Sequence, residues 1–306
     1  MKKNQILNVL PKEVRGMIEQ KNLQYDYLQE IKMRVGKPLI LIYKGKEILG
    51  EKAGKTPYIT EKELKETLDY ITNYSLYAFE QEMKQGFITI EGGHRVGISG
   101  QVVLETGQVK NIKYISSINI RVSHEVMGCA DPIFFNIIKD NQFMNTMIIS
   151  PPGCGKTTLL RDTIRQLSDG NAYIKGMTVG VVDERSEIGA CYRGIPQNHI
   201  GIRTDIMDCC PKVEGMMMLI RSMSPQIIAV DEIGTKEDLD AIEYALHCGC
   251  KMLATVHGKS FEDVASKPGL SNLIKEKVFE RYIVLGNRNR VGEIAAIHNA
   301  VGETLW

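Results

Sequence analysis

The chain has 306 residues, which is enough for about two domains of roughly 150 residues each. Its 43% hydrophobic and 25% charged residues are typical of globular proteins and exclude the disordered and fibrous classes. The 38 basic and 37 acidic residues give a net charge of +1, so composition provides no strong signal for binding nucleic acid or a lipid surface. No apolar run reaches the roughly 18 residues of a membrane span, and we therefore expect a soluble, intracellular protein.

Residues 1–130 are predicted to form an α+β module. Thr60 and Glu63 form a capping-box pattern, and the apolar residues that follow at helical spacing predict a helix. A second helix is predicted over residues 76–85 and ends at Gly86. Strands are predicted at residues 31–35 and 39–43 and, as a β meander, at residues 87–91, 94–99, 101–104, 109–115 and 118–122.

Residues 131–306 have a different pattern, in which short apolar strands alternate with amphipathic helices. The predicted strands are residues 146–149, 179–182, 227–230, 252–256 and 282–285, and the predicted helices begin at residue 157 and cover residues 214–221 and 236–247. Continuous apolar strands in this alternation are typical of a mostly parallel sheet with helices on both faces. We therefore assign the chain to the α/β class, with a smaller N-terminal domain (1–130) and a larger domain (131–306).

A loop between a predicted strand and a predicted helix has the spacing of a P-loop, with serine where the first glycine is usual. This glycine loop consists of Ser150, Pro151, Pro152, Gly153, Cys154, Gly155, Lys156, Thr157 and Thr158. Gly153 and Gly155 allow the backbone to turn its N–H groups toward a polyphosphate, and the N-terminus of the helix attracts negative charge. Lys156 suits the β- and γ-phosphates, and the Thr157 hydroxyl suits Mg²⁺. We therefore predict that residues 151–158 bind a nucleotide.

Two carboxylates follow the predicted strand at residues 227–230. In a parallel sheet, the carboxyl end of this strand lies at the same edge as the glycine loop. This placement predicts that Asp231 holds Mg²⁺ and that Glu232 polarises an attacking water. The alternative is a surface turn that closes a buried strand, and the glycine loop upstream favours the first interpretation.

Two further segments are weak signals when each is taken alone. They contain Asp183, Glu184 and Glu187 after one strand, and Thr255 and His257 at the end of another. A charged segment is most often a solvated loop, and a single histidine is most often structural. The order along the chain is more specific, because it resembles the Walker A, acidic box, Walker B and His box of the type II and type IV secretion and pilus motor ATPases.

That resemblance implies a RecA-like core over about residues 145–300. By their positions in the boxes, the residues expected to act in ATP hydrolysis are Glu184, Glu187, Glu232 and His257. The chain departs from the motor pattern at Asp231, where those ATPases usually have glycine. Mg²⁺ is therefore expected to be held mainly either by Asp231 or by the acidic box.

Ring motors of this kind commonly complete the site with an arginine from a neighbouring subunit, which neutralises charge on the transferred phosphoryl group. The candidates are Arg95, Arg121, Arg185, Arg203 and Arg221. Arg203 and Arg221 lie between the acidic box and the Walker B segment, where the motor family places sensing arginines, and we predict a catalytic role for them. An ordinary surface or salt-bridge position is the alternative for each.

A closer resemblance extends over the whole chain. Residues 28–39 (LQEIKMRVGKPL), 86–100 (GFITIEGGHRVGISG) and 117–121 (SINIR) are similar to the stage III sporulation AA family of endospore formers, as are residues 182–189 and 223–234. That resemblance implies a mother-cell ATPase at the outer forespore membrane. It also implies that the ATPase works with membrane proteins in a channel that joins the two cells.

The resulting prediction is a cytoplasmic, Mg²⁺-dependent ATPase with a RecA-like core that assembles as a hexameric ring. ATP is favoured over GTP because the sequence has no Asn-Lys-x-Asp guanine-reading segment, and a membrane location requires protein partners. Two alternatives stay open. A nucleic-acid-dependent RecA-like motor is disfavoured by the near-zero net charge. A non-hydrolysing ATP-binding assembly scaffold is disfavoured by the presence of both Asp231 and Glu232.

Overall fold

A computed structural model describes residues 2–75, 79–84, 86–105, 107–286 and 291–306. The chain divides into two compact units, Met1–His124 and Glu125–Trp306. The sequence predicts the boundary after residue 130. Ala130 groups with the second unit because it is buried in the core of that unit and its N–H donates to the Asp162 carboxylate (2.8 Å).

The N-terminal unit is built on an antiparallel sheet. The helices described there are α1 (Lys2–Asn8), α2 (Lys12–Glu19), α3 (Glu61–Ile71) and α4 (Glu80–Lys84), and a 3₁₀ turn covers Tyr25–Tyr27. The strands are β1 (Leu28–Arg34), β2 (Ile40–Tyr43), β3 (Lys46–Leu49), β4 (Phe87–Ile90), β5 (His94–Glu105) and β6 (Gln108–Arg121). Their order across the sheet is β3-β2-β1-β6-β5-β4, and each neighbouring pair is antiparallel.

The predicted helix after Thr60 is confirmed, together with its capping box. The Thr60 hydroxyl accepts the N–H of Glu63 (3.2 Å), and the Glu63 carboxylate accepts the N–H of Thr60 (2.8 Å). These bonds satisfy donors that the first turn of a helix otherwise leaves unpaired. Of the helix predicted over residues 76–85, the structure describes α4 from Glu80 to Lys84; residues 76–78 and 85 lie outside the described residues.

The predicted β meander is partly wrong, because two predicted strand breaks are absent. Residues 94–99 and 101–104 belong to the single strand β5, and residues 109–115 and most of 118–122 belong to β6. Gly100 produces a register shift in β5 without ending it. A Cβ atom at Gly100 would lie 2.7 Å from the carbonyl oxygen of Lys113, so glycine permits this close approach of the two strands.

His94 is fully buried in the N-terminal sheet. Its Nδ1 atom accepts the N–H of Ser123 (3.0 Å), so the neutral ring carries its proton on Nε2. Within the described part of the chain, Nε2 has no hydrogen-bond partner. Burial, reinforced by the positive charges of Lys2 and His124, lowers the pKa of His94 to about 4.

We expect His94 to make the free energy of unfolding rise with pH between about 4 and 6.5, by up to roughly 3 kcal/mol. In this window the unfolded chain binds a proton at this residue and the folded chain does not, so a higher pH favours folding. His94→Asn, which retains an acceptor for the Ser123 N–H, should remove this component in urea unfolding measured across the same pH range. His247→Asn, at an exposed position, serves as the control. An unchanged pH dependence in His94→Asn would contradict the expectation.

The C-terminal unit is built on a mostly parallel sheet. Its main strands are β9 (Thr146–Ser150), β10 (Val179–Asp183), β11 (Thr204–Asp208), β12 (Ile227–Val230), β13 (Lys251–His257), β14 (Arg281–Gly286) and β15 (Glu293–Asn299), and a small hairpin consists of β7 (Ile138–Lys139) and β8 (Gln142–Phe143). The order of the main strands is β11-β10-β12-β13-β9-β14-β15, and all neighbours are parallel except β14 and β15. The predicted α/β class is therefore confirmed.

Helices cover both faces of this sheet. They are α5 (Asp131–Ile137), α6 (Lys156–Asp169), α7 (Lys212–Met223), α8 (Lys236–His247), α9 (Phe261–Ala265) and α10 (Leu270–Lys275). Alternate residues of the central strands enter two separate apolar cores: Ile228 and Val230 of β12 pack with α7 and α8, whereas Ile227 and Ala229 pack with α5 and α6. Burial on both faces explains why the strands are continuously apolar.

The strand order determines which loops meet. Strand β13 lies between β9 and β12, and β10 lies on the far side of β12. The carboxyl ends of these parallel strands share one edge of the sheet, and ligands of open α/β sheets bind at such an edge. None of the helices in the described ranges combines the length and the apolar character needed to span a bilayer.

Candidate functional site

The glycine loop connects β9 to α6 at the carboxyl edge of the sheet. Gly153 and Gly155 have φ of +73° and +88°, a left-handed conformation that favours glycine. Space is open beside Gly153, where an added Cβ would have no atom within 4 Å. Gly155 is closely packed instead, since a Cβ there would lie 3.1 Å from the backbone of Gly292. The glycines therefore let the backbone turn at the start of α6, where the first N–H groups have no partner within the helix and suit an anion.

Five other residues of the glycine loop are two prolines and three residues with contacts inside the unit. Pro151 and Pro152 have no N–H to donate, so they cannot contribute the amide contacts that the glycines provide. Cys154 is buried, and its thiol contacts the carbonyl oxygen of Pro152 (3.7 Å). Ser150 is buried as the last residue of β9 and does not have a positive φ, so its backbone conformation does not require glycine. The carbonyl of Thr158 accepts from the Cys129 thiol (3.5 Å).

Lys156 and Thr157 meet the two carboxylates that follow β12. Lys156 Nζ lies 3.4 Å from Asp231 Oδ1 and 3.7 Å from Glu232 Oε2. The Thr157 hydroxyl donates to Asp231 Oδ2 (3.2 Å). The Lys156 side chain is only 11% exposed, so these interactions occur in a partly desolvated site where charge interactions are strong. The structure thus brings together two pairs of adjacent residues, and Thr157 and Asp231 are 74 positions apart in the sequence.

Strand β13 contributes two more side chains to the same site. The Thr255 hydroxyl donates to the Asp231 carboxylate and accepts the N–H of Glu232 (2.9 Å). Thr255 is fully buried, so these two hydrogen bonds hold Asp231 and Glu232 in place. His257 Nε2 lies 2.9 Å from Glu232 Oε1. Glu232 has a φ of +51°, an uncommon conformation for this residue type that these contacts help to hold.

The acidic box forms a loop, residues 183–189, that we call the acidic loop. Its first residue, Asp183, is buried, and its carboxylate accepts the N–H groups of Glu187 (2.8 Å), Ile188 (2.9 Å) and Gly189 (2.8 Å). Burial raises the pKa of Asp183 to about 6, with a smaller contribution from Asp208, while the three hydrogen bonds oppose this rise. Asp183 therefore holds the loop in shape.

Two other residues of the acidic loop face charged partners. Glu184 is exposed and accepts a hydrogen bond from Lys212 Nζ (2.8 Å). Its carboxylate is therefore paired with Lys212 and not with Lys156. Arg185 Nη1 lies 3.3 Å from Glu232 Oε2. Glu187 is anchored through its main chain, by its N–H to Asp183 and by its carbonyl to Arg161 Nη2 (2.6 Å). Arg185, one of the candidate arginines, thus contacts a predicted catalytic carboxylate.

The structure places Arg203 and Arg221 away from the glycine loop of the same chain. The Arg203 carbonyl accepts from the N–H of Val179, the first residue of β10, so Arg203 lies at the amino edge of the sheet. Its guanidinium donates to the carbonyl of Ser168 (2.8 Å). Arg221 is exposed in the last turn of α7, which leads to the start of β12. Neither position is beside the glycine loop of the same chain, and the predicted catalytic role of these two arginines, in which a neighbouring subunit's arginine completes the site, stays a prediction.

Two residues without a sequence signal also contact the site. Arg161 and Lys212 both contact the acidic loop, from α6 and from the first residue of α7 respectively. Lys212 had no signal in the sequence, because nothing local indicates that α7 begins beside residue 184. Arg161 follows Lys156 by about 1.4 helical turns, a spacing that places it further along α6 without predicting its partner.

The oxygen atoms in the site fit a magnesium nucleotide. Mg²⁺ prefers hard oxygen ligands and usually keeps several waters together with substrate phosphates, so a hydroxyl and a carboxylate are sufficient protein ligands. Thr157 and Asp231 provide such a pair with their oxygens 3.2 Å apart. No cluster of three or more His, Cys, Asp or Glu suited to a metal is present in the described ranges. Lys156 and the N–H groups of the glycine loop fit the phosphate groups.

Comparisons with known proteins agree with these observations. The family model for "Sporulation stage III, protein AA" matches residues 1–305. The stage III sporulation protein AA of Bacillus subtilis (strain 168) is 41% identical over 303 residues, which cover 99% of this chain and 97% of that protein.

Solved structures of ATPases share the fold. The ATPase DotB of Yersinia pseudotuberculosis aligns with a TM-score of 0.60 at 15% identity and covers 95% of this chain and 80% of its own. The pilus retraction motor PilT with bound ADP aligns with a TM-score of 0.57 at 14% identity and covers 89% and 76%. These likenesses confirm the predicted RecA-like core. Because the family model and the Bacillus subtilis relative both match nearly the whole length, the chain belongs to the stage III sporulation protein AA family.

Proposed function

We propose that this protein is a Mg²⁺-dependent ATPase that powers or assembles the channel between mother cell and forespore during endospore formation. The observation that carries the proposal is the convergence of Lys156 and Thr157, from the start of α6, on Asp231 and Glu232 after β12. The family supports a role in sporulation. The fold neighbours are an ATPase and a pilus motor by name, which is consistent with hydrolysis.

The residues of the site have separate roles in this proposal. Lys156 and the loop N–H groups bind the phosphates and stabilise the negative charge that develops as the terminal phosphoryl group is transferred. Thr157 and Asp231 hold Mg²⁺, which when bound neutralises phosphate charge. Thr255 keeps the Asp231 carboxylate oriented, because its hydroxyl is committed to Asp231 and to the Glu232 backbone.

Glu232 orients the water that attacks the terminal phosphorus. One bond forms between that water and phosphorus while the bond to the bridging oxygen breaks, which releases ADP and phosphate. The Glu232 carboxylate is held by His257 Nε2 (2.9 Å) and Arg185 Nη1 (3.3 Å), so it is directed by both neighbouring segments. No covalent intermediate is required. The predicted roles of Glu184 and Glu187 are retained as part of the acidic loop beside this carboxylate.

The oligomeric state and the cellular location in this proposal are carried over from the family resemblance. We propose a hexameric ring in which an arginine of a neighbouring subunit, Arg203 or Arg221 among the candidates, completes each site. The ring acts on the mother-cell side of the outer forespore membrane through membrane protein partners. This docking through partners is consistent with the helices described here, since none of them is suited to cross a membrane.

The test is phosphate release by the purified full chain with ATP and Mg²⁺ at several protein concentrations, with a chelator as control. A motor of this kind should lose activity without Mg²⁺, and its rate per chain should rise with concentration if sites form between subunits. ATP binding without turnover, with or without added membrane partners, would favour the scaffold alternative. Stimulation by DNA that disappears with rising salt would favour the nucleic-acid motor.

A further inference from the structure

Arg161 connects the helix of the glycine loop to the acidic loop. It lies on α6, the helix that begins at Lys156. Its Nε atom donates to the carbonyl of Ile188 (2.8 Å), and its Nη2 atom donates to the carbonyl of Glu187 (2.6 Å). The planar guanidinium thus binds two successive carbonyl groups at once, a geometry that the single ammonium of lysine does not reproduce.

The same peptide groups are bonded from the opposite side by Asp183. Its carboxylate accepts the N–H groups of Glu187, Ile188 and Gly189, while Arg161 binds the carbonyl groups of Glu187 and Ile188. The turn is therefore closed by an anion on its donor side and by a cation on its acceptor side. Buried peptide groups that are satisfied in this way hold a loop in one conformation.

The backbone on each side of this turn needs such support. Ser186 and Ala190 have φ of +51° and +47°, which lie in the left-handed region that non-glycine residues rarely adopt. Such residues persist where the surrounding contacts determine the conformation. The bonds from Asp183 and Arg161 fall on the residues between these two positions, so they are suited to hold the strained turn.

The acidic loop also carries Arg185, which faces the Glu232 carboxylate in the site. Arg185 directly precedes Ser186, and its Nη1 atom lies 3.3 Å from Glu232 Oε2. The Arg185 side chain is 65% exposed, so its direction depends on the backbone that carries it more than on packing around it. A shift of the acidic loop would therefore move a cation that faces Glu232.

We propose that Arg161 is a positioning residue, which fixes the acidic loop to α6 so that Arg185 meets Glu232 when the phosphate groups are bound at the start of that helix. This assignment rests on the proposed ATPase function. Within the described residues, the Arg161 guanidinium bonds to carbonyl groups of the loop and not to Glu232, so it acts through those carbonyl groups. Misplacement of groups around a reaction by about 1 Å can reduce a rate by about 10²-fold.

Arg165 provides a matched control on the same helix. Its Nε and Nη2 atoms both bind Asp162 Oδ1 (3.0 and 2.6 Å), within α6 itself. Arg165→Gln removes an arginine of similar exposure without removing a bond to the acidic loop. Arg161→Gln removes the loop bonds, and Arg161→Lys retains the charge without the paired geometry.

The experiment measures kcat and KM for Mg²⁺-ATP and hydrogen exchange of the peptides that cover the acidic loop, in the full chain. We expect both Arg161 variants to lower kcat by about 10- to 100-fold with KM changed less than about threefold, since the misplaced groups act in the transition state. Exchange of the loop amides should rise about tenfold or more, because their turn loses its anchor. Arg165→Gln should match the wild type in both measurements.

Three results would overturn the assignment: a wild-type kcat in Arg161→Lys, unchanged loop exchange in both Arg161 variants, or an equal loss in Arg165→Gln. If circular dichroism shows that Arg161→Gln has failed to fold, the test is made with Arg161→Lys. If the wild type itself does not hydrolyse ATP, the proposed function fails. Exchange still decides the role of Arg161: faster loop exchange in the Arg161 variants alone supports the anchor, and unchanged exchange overturns it.

Discussion

Lys156→Ala is expected to reduce phosphate release from Mg²⁺-ATP by about 10²- to 10³-fold. The ammonium group lies 3.4 Å from Asp231 and 3.7 Å from Glu232, so it already resides in a site of concentrated negative charge. Removing it leaves these carboxylates without their cation and removes the group that faces the phosphates. We expect both kcat and nucleotide affinity to fall, because the phosphates are repelled before and during the reaction.

The measurement is steady-state phosphate release together with binding of a fluorescent ATP analogue. Lys275→Ala is the matched control, because Lys275 is exposed in the last turn of α10 and its loss should leave both quantities unchanged. Hydrolysis at the wild-type rate in Lys156→Ala would show that the phosphates bind elsewhere. Such a result would contradict the proposed site as a whole.

Glu232→Gln is expected to lower kcat by about 10²-fold or more while ATP still binds. Glutamine retains the size of the side chain and one accepting oxygen, but it loses the charge that orients and polarises the attacking water. The amide also has a weaker interaction with the Arg185 guanidinium, which lies 3.3 Å from the Glu232 carboxylate. The change therefore removes a transition-state interaction without removing the phosphate-binding groups.

Glu237→Gln is the control for this variant, since Glu237 is exposed in the first turn of α8. Single-turnover hydrolysis and retention of bound ATP after gel filtration distinguish loss of chemistry from loss of binding. Glu232→Gln should also fail to support spore formation in a host that depends on this protein. A variant that binds ATP, does not hydrolyse it and still supports spore formation would favour the assembly scaffold.

Local chemistry was sufficient to predict much of the fold. The capping box at Thr60 satisfies helix donors within three residues of its own position, so it operates regardless of the surrounding structure. The continuously apolar strands of the second unit indicate burial on both faces, and the sheet has that burial. The β5–β6 hairpin shows the limit: Gly100 looks like a strand break in sequence, whereas the partner strand accommodates it as a register shift.

Three features were predictable from the sequence alone: the α/β class, the strand-loop-helix that carries Lys156, and the position of Asp231 and Glu232 after an apolar strand. These features depend on residues close together in the chain. Which strand ends are neighbours depends on how the strands assemble, and here β13 lies between β9 and β12. This order brings Thr255 and His257 to the carboxylates.

The same order places Arg203 at the opposite edge and makes Asp183 an anchor of its loop. Contacts such as those of Arg161 and Arg185 join segments that are 26 and 47 residues apart, so no local pattern specifies them. They arise because whole helices and strands pack together, and that packing depends on the sequence as a whole.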